Sequence, residues 1–163
     1  MRTGSPGHLK TFDYLGPRRY SLTFCTFNRT ELFVTAERVD LVSGQIVRAA
    51  DEEGGQIVVY TFMPDHAHVL IQMKRDTSDC LRFISRAKQY SGYHYKQKFG
   101  HRLWQRYGYE RVFRDDEDSF VVARYILNNP IRKGLVTSPE DYPFSGSQKF
   151  TVKQILEGVQ MMT

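Results

Sequence analysis

Polar and apolar residues alternate from Arg19 to Phe27, with Tyr20, Leu22 and Phe24 in one set and Thr23, Cys25 and Phe27 in the other. A period of two puts these sets on opposite faces of a strand. Asn28-Arg29-Thr30 turns the chain. From about Glu37 to Glu52 the period changes: Val39, Val42, Ile46, Val47 and Ala50 recur at helical spacing, and Gly54-Gly55 ends the helix. Gln56–Met63 reads as a second strand and Met63-Pro64-Asp65 as a tight turn, after which His66–Met73 returns antiparallel. Asp76-Thr77-Ser78-Asp79 offers an N-cap to a helix from about Cys80 to Lys98. Its apolar stripe is Leu81, Ile84, Ala87 (or Lys88) and Ser91, and Gly100 closes it.

The stretch from His101 to Arg114 mixes basic and aromatic residues and predicts irregular chain with one strand. The acids of Asp115 to Asp118 suit a helix N-terminus, and the third helix spans about Glu117 to Asn128, ahead of Pro130. Thr151 to Met161 is short enough for one last helix. This order predicts an α+β fold, a ferredoxin-like sandwich in which an antiparallel sheet carries helices mainly on one face.

Composition narrows the class. The 163 residues suit one domain with a real core. With 23 Lys and Arg against 18 Asp and Glu the chain carries +5, which fits a nucleic-acid partner and also fits mere solubility. Ten tyrosines and eleven phenylalanines supply aromatic surface of the kind that stacks on unpaired bases, although most of it is expected in the core. Cys25 and Cys80 have no ligand-like spacing and read as buried thiols in a reducing compartment. No run approaches the roughly 18 apolar residues of a membrane span. The first residues lack the apolar core of a secretory signal. The expectation is a cytoplasmic protein whose opening dozen residues are mobile.

Two stretches carry candidate chemistry. His66 and His68 are two apart in a strand, so their rings face one way, with Cα atoms about 7 Å apart. They can converge on one metal ion, or they can be two half-buried histidines with unrelated hydrogen bonds. Farther on, Val121, Tyr125 and Asn129 follow i, i+4, i+8 and share a helix face. Asn129, ahead of a proline, is expected at a frayed end with its amide free, although Tyr125 could simply pack and Asn129 simply cap. Together, two imidazoles and an amide oxygen give a cation three ligands and leave positions open for a phosphate oxygen. A tyrosine hydroxyl nearby can attack that phosphorus. Tyrosine ordinarily titrates near 10, so it needs help at neutral pH. The mixed nitrogen and oxygen set fits Mg²⁺ or Mn²⁺ and leaves Zn²⁺ open. Asp65 is placed to orient a histidine, or to serve the turn.

At these residues the chain resembles a known family. Met63-Pro64-Asp65-His66-Ala67-His68-Val69-Leu70 is similar to the His-hydrophobic-His signature of single-tyrosine HUH transposases. The run from Arg124 to Val136, with Tyr125, Asn129 and Pro130, resembles the tyrosine segment of their chromosomal branch, the REP-associated tyrosine transposases. Leu103-Trp104-Gln105-Arg106 and Asp141-Tyr142-Pro143-Phe144-Ser145 follow suit, so the likeness covers about residues 14 to 147. The resemblance implies a ferredoxin-like sheet with the histidines on a central strand. It implies His66, His68 and Asn129 as ligands of a divalent cation and Tyr125 as the nucleophile. The implied reaction is a 5′-phosphotyrosine formed on single-stranded DNA beside a palindromic hairpin, with a free 3′-OH that later rejoins strands. Ala67, Tyr142, Phe144 and Gly146 depart from the residues usual at these places.

Arg82, Arg86, Lys88, Arg102, Arg106, Arg111 and Arg114 are candidate phosphate contacts, and Trp104 and Tyr107, with Tyr109, are candidates for stacking on bases. Trp104 is also a natural core residue. Two other readings compete: a hairpin-binding protein that does not cleave, and a nickase of the replication-initiator kind. The relatives imply a monomer or a homodimer, and no membrane.

Overall fold

The computed structural model describes residues 14–107, 109–112 (backbone only) and 119–158. The opening residues expected to be mobile lie outside them.

The apolar faces of the strands set the architecture. β1 (Arg19–Cys25) buries Tyr20, Leu22 and Phe24 and half-buries the residues between, as its alternation predicts. β2 (Gly55–Met63) and β3 (His66–Met73) form a hairpin around Pro64-Asp65. Two helices cover one face, α1 (Ala36–Glu52) and α2 (Cys80–Phe99). Thr35 Oγ1 caps α1 by accepting from Arg38 N at 3.3 Å, and the Asp79 carboxylate caps α2 by accepting from Arg82 N at 3.1 Å. Gly100, at φ 84°, ends α2 in the left-handed conformation that suits glycine. The core between these helices and the sheet holds Tyr20, Leu22, Phe24, Ala67, Val69 and Ile71.

β4 (Tyr109–Val112) pairs with β1, giving a sheet order β4-β1-β3-β2 with every described pairing antiparallel; a two-residue β5 (Ser145–Gly146) is added beyond β2. This is the predicted ferredoxin-like order, with the histidine strand in the middle. The opposite face has its own, smaller core. There α3 (Ser119–Leu127) and α5 (Val152–Leu156) lay Ala123, Ile126, Leu127 and Ile155 on Val59 and Leu70. Between them α4 (Asn129–Arg132) adds one more turn.

On α2 the predicted positions Ile84, Ala87 and Ser91 are buried as expected, but Leu81 is exposed, and Cys80 and Phe83 complete the buried face instead. Of the cysteines, Cys80 is buried but Cys25 only half-buried, and no disulfide joins them.

Tyr142 ties the 139–146 segment to the sheet: its hydroxyl donates to the Phe62 carbonyl, next to the hairpin that carries the histidines. Burial pushes the Tyr142 phenol up to about 12. A phenol raised on folding stabilises the fold fully below its unfolded value near 10 and loses that contribution as pH rises through about 12. Tyr142→Phe is expected to cost ~1–2 kcal/mol near neutral pH and to flatten the alkaline fall, measured by denaturant melts across that range.

Candidate functional site

His66, His68 and Leu70 alternate with Ala67, Val69 and Ile71 along β3, so the histidines face the α3 side of the sheet. Strand register surrounds them. Thr23 and Thr61 pair with His68, while Cys25 and Met63 pair with His66. The hairpin end is fixed from outside. Thr26 N donates to the Asp65 carbonyl at 3.0 Å, and Leu32 N and Phe33 N donate to the Pro64 carbonyl at 2.8 and 3.0 Å.

Each imidazole is held at one nitrogen and presents the other. His66 Nδ1 lies 2.7 Å from Asp65 Oδ1, and His68 Nδ1 lies 3.0 Å from Thr23 Oγ1. The two Nε2 atoms then meet at 3.2 Å. Two donors sharing one ion at bonds of about 2.1 Å stand about 3.0 to 3.4 Å apart for right-angled to tetrahedral arrangements. The pair therefore fits a single cation.

The partners also fit the proton positions. Asp65 can only accept from Nδ1–H, which leaves a lone pair on His66 Nε2. Thr23 can donate to His68 or accept from it. It can therefore serve the neutral pair, in which His68 Nε2–H donates to His66, and equally the form in which both Nε2 atoms offer lone pairs. Burial first, then His66, then Arg132 push His68 down to about 4, so its ring is neutral at physiological pH. Burial raises the Asp65 carboxyl, but the hydrogen bond with His66 and the Arg29 guanidinium outweigh it and hold the carboxyl below its ordinary value. Arg29 Nη2 lies 3.0 Å from Asp65 Oδ2. Asn28 and Arg29 adopt φ 57° and 53°, left-handed conformations uncommon outside glycine, at the turn that delivers this guanidinium.

The sequence reading missed Thr23, Arg29 and Arg132. Thr23→Val removes the only side-chain partner described for His68 Nδ1. Divalent-cation affinity is expected to fall 10–100-fold with the fold intact, read by isothermal titration with Mn²⁺.

Tyr125 stands on α3 over the same sheet face and is 63% exposed. The Arg132 guanidinium lies 3.9 Å from its ring centroid, and Arg132 Nη2 donates to the Tyr125 carbonyl at 2.8 Å. Arg132 is also one of the charges that lower His68. One arginine thus links the tyrosine to the histidine pair. Its spacing, seven residues and two helical turns on, is the signal that could have found it.

Asn129 differs from expectation. It is 8% exposed, and the chain does not fray there, because Lys133 N donates to its carbonyl as α4 continues the turn. Asn129 is largely buried, where the sequence suggested a frayed end with its amide free to reach a ligand. Among the described residues no three His, Cys, Asp or Glu side chains cluster as a metal site.

The predicted cations fall into two groups. Arg82 and Arg86 lie at the far end of the sheet, by Glu52 and Glu53; Arg86 Nη1 is 2.8 Å from Glu53 Oε2 and Arg82 Nη1 is 3.9 Å from Glu53 Oε1. Gly55, two residues beyond that pair, is matched with Met73, which along β3 is about 23 Å from His66. Lys88, Arg102, Arg106, Trp104 and Tyr107 line one cleft. Trp104 is largely core, 5% exposed against Phe24 and Phe33, with Nε1 donating to Ser91 Oγ at 2.9 Å. Arg111 and Tyr109 are backbone positions of β4. Arg114 lies outside the described residues.

Fold and site together define an α+β protein of ferredoxin-like order with a convergent histidine pair on its central strand and a tyrosine helix over the same face. The chain belongs to the IS200-like transposase family, whose model matches residues 18–129. Membership places it among DNA-cleaving, strand-transferring enzymes. It is similar to a protein of Haemophilus influenzae provisionally named a REP-associated tyrosine transposase, 26% identical over 137 residues, 77% of each chain. Its fold matches a REP-associated tyrosine transposase solved bound to a REP hairpin, with TM-score 0.68 and 19% identity over 85% of this chain and 82% of that one. It also matches a protein of Deinococcus radiodurans provisionally described as a transposase, with TM-score 0.53 and 19% identity over 83% of this chain and 98% of that one. No helix among the described residues is long and apolar enough to cross a membrane.

Proposed function

We propose that this chain is a divalent-cation-dependent single-stranded DNA nickase and strand transferase acting beside palindromic hairpins, with Tyr125 as its nucleophile. The observation that carries the reading is the convergence of His66 and His68 Nε2 at 3.2 Å while both Nδ1 atoms are engaged. That arrangement serves a ligand pair and is more than two separate core histidines require. His66 and His68 would hold Mg²⁺ or Mn²⁺, with Asn129 the candidate third donor. The bound ion would polarise the scissile phosphate and favour departure of its leaving oxygen.

The chain's own groups do the rest. Arg132 stacks on the Tyr125 ring and donates to its backbone carbonyl, which positions the side chain. The Tyr125 oxygen forms a bond to phosphorus as the bond from phosphorus to the 3′ oxygen breaks. The phenol loses its proton and the departing oxygen gains one, leaving a 5′-phosphotyrosine and a free 3′-OH. Attack by a 3′-OH reverses these bond changes and rejoins a strand, so no nucleotide cofactor is consumed. The solved relative's REP hairpin supports hairpin DNA as the substrate class here.

The test is denaturing electrophoresis of the protein with end-labelled single-stranded oligonucleotides carrying genomic palindromes, with Mg²⁺ or Mn²⁺ and with EDTA. A band of covalent adduct that needs the cation is expected. Tight hairpin binding with neither adduct nor nick at any site would move the chain to the non-cleaving reading.

A further inference from the structure

A cleft of about 660 Å³ opens between α2 and residues 101–107, on the other side of β1 from the histidine pair. Its floor is apolar, formed by the buried side chains of Ile84, Leu103 and Trp104. Its described lining carries the cations Lys88, Lys96, Arg102 and Arg106 and no carboxylate. Among the described residues none of these cations is in an ion pair, in contrast to Arg82 and Arg86. In a chain whose whole excess is +5, that is a local concentration of positive charge.

Lys88 sits deepest. It is half-buried, donates to the Arg106 carbonyl at 3.4 Å, and lies 6.0 Å from the Phe24 ring centroid. Burial, opposed by Cys25 and reinforced by Arg102, holds its ammonium below the usual lysine value. A cation that has exchanged water for one long hydrogen bond gains when an anion arrives. The cleft is also near the reacting end of the sheet. Trp104 bridges Thr26, Gln105 N donates to the Cys25 carbonyl at 3.0 Å, and Cys25 pairs with His66.

An apolar floor under a ring of cations suits a base and its phosphate together. A duplex keeps its bases stacked inside and would meet only the rim. We infer that this cleft seats one unpaired nucleotide of the strand flanking the hairpin, its phosphate on Lys88 and its base over the Leu103–Trp104 floor. The inference rests on the hairpin-DNA reading above, and its test does not require cleavage.

The test is fluorescence anisotropy of the full chain in EDTA. The probes are a blunt palindromic hairpin, the same hairpin with a ten-nucleotide mixed-sequence flank, and a series in which one flank linkage at a time is a neutral methylphosphonate or one residue is abasic. The flank is expected to tighten binding, and one linkage with its adjoining base to weaken it about 10-fold when altered, in the range of one stacked base or charged contact. In Lys88→Gln that linkage no longer matters, and the salt dependence of log K falls by about 0.7, the share of one single-strand phosphate. Arg106→Gln, at an exposed position, is the companion variant should Lys88→Gln fail to fold by circular dichroism; it is expected to lower the salt dependence likewise. Equal affinity with and without the flank, or an unchanged linkage penalty in the folded variants, would overturn the inference. Flank-dependent binding without any adduct would leave it standing while removing the cleavage reading.

Discussion

Tyr125→Phe leaves hairpin binding within about twofold and lowers covalent adduct formation by at least about 10³-fold, the scale on which loss of a nucleophile is felt. The substitution removes one oxygen from an exposed ring, so the fold loses little; a change within about 0.5 kcal/mol is expected. The Arg132 stack on the ring survives, and with it the position of the helix over the sheet. A loss of adduct is therefore a loss of chemistry. Other tyrosines make useful controls. The Tyr95 hydroxyl accepts from Arg38 and is raised by burial, and the Tyr142 hydroxyl donates to a backbone carbonyl, so neither is placed to attack. Tyr93 is as exposed as Tyr125 but stands on α2, across the sheet from the histidine face. Tyr93→Phe should leave adduct yield unchanged. An adduct that persists in Tyr125→Phe would locate the nucleophile elsewhere, and peptide mapping of the labelled adduct would find it.

What the sequence disclosed follows from the range of the physics involved. The period of two that aligns His66 with His68 is local, and so is the helical period that puts Ile126 and Leu127 under α3. Strand register is not local. Thr23 meets His68 only because β1 pairs with β3 in one register, and a shift by one residue would turn Thr23 to the other face. Ion pairing between distant segments is equally hidden. Arg86 and Lys88 are both basic residues of one predicted helix with nothing in the local sequence to name their partners, yet Arg86 faces the buried Glu53 at the end of α1 while Lys88 turns into the cleft. Asn129 shows the reverse error. The proline after it does remove a helix donor, but Pro130 falls in the first turn of α4, where that donor has no helical partner to lose, and the chain turns on where fraying was expected.

The histidine pair yields the second large effect. His66→Ala and His68→Ala are each expected to lower Mn²⁺ affinity by more than about 100-fold, since loss of one of two imidazole ligands outweighs the loss of an orienting partner, and to remove the adduct with it. His68→Ala should also unfold more easily, because the half-buried ring fills space between Thr23 and Thr61; a thermal melt separates that cost from the loss of metal. Mixing the two kinds of variant then asks how the site is assembled. α3 packs on β2 of its own chain, and the Arg132 that holds Tyr125 is close enough to His68 to lower its proton affinity. If one chain supplies both halves, His68→Ala protein combined with Tyr125→Phe protein forms no adduct, because each molecule lacks one half of its own site. An adduct restored by mixing, and growing with the square of protein concentration, would instead mean that α3 reaches a partner's histidines. Helix exchange of that kind would have to break the packing of Ala123, Ile126 and Leu127 on Val59 and Leu70 and remake it on a second copy. The apolar area is the same in both arrangements, so packing alone does not choose between them, and the mixing result does.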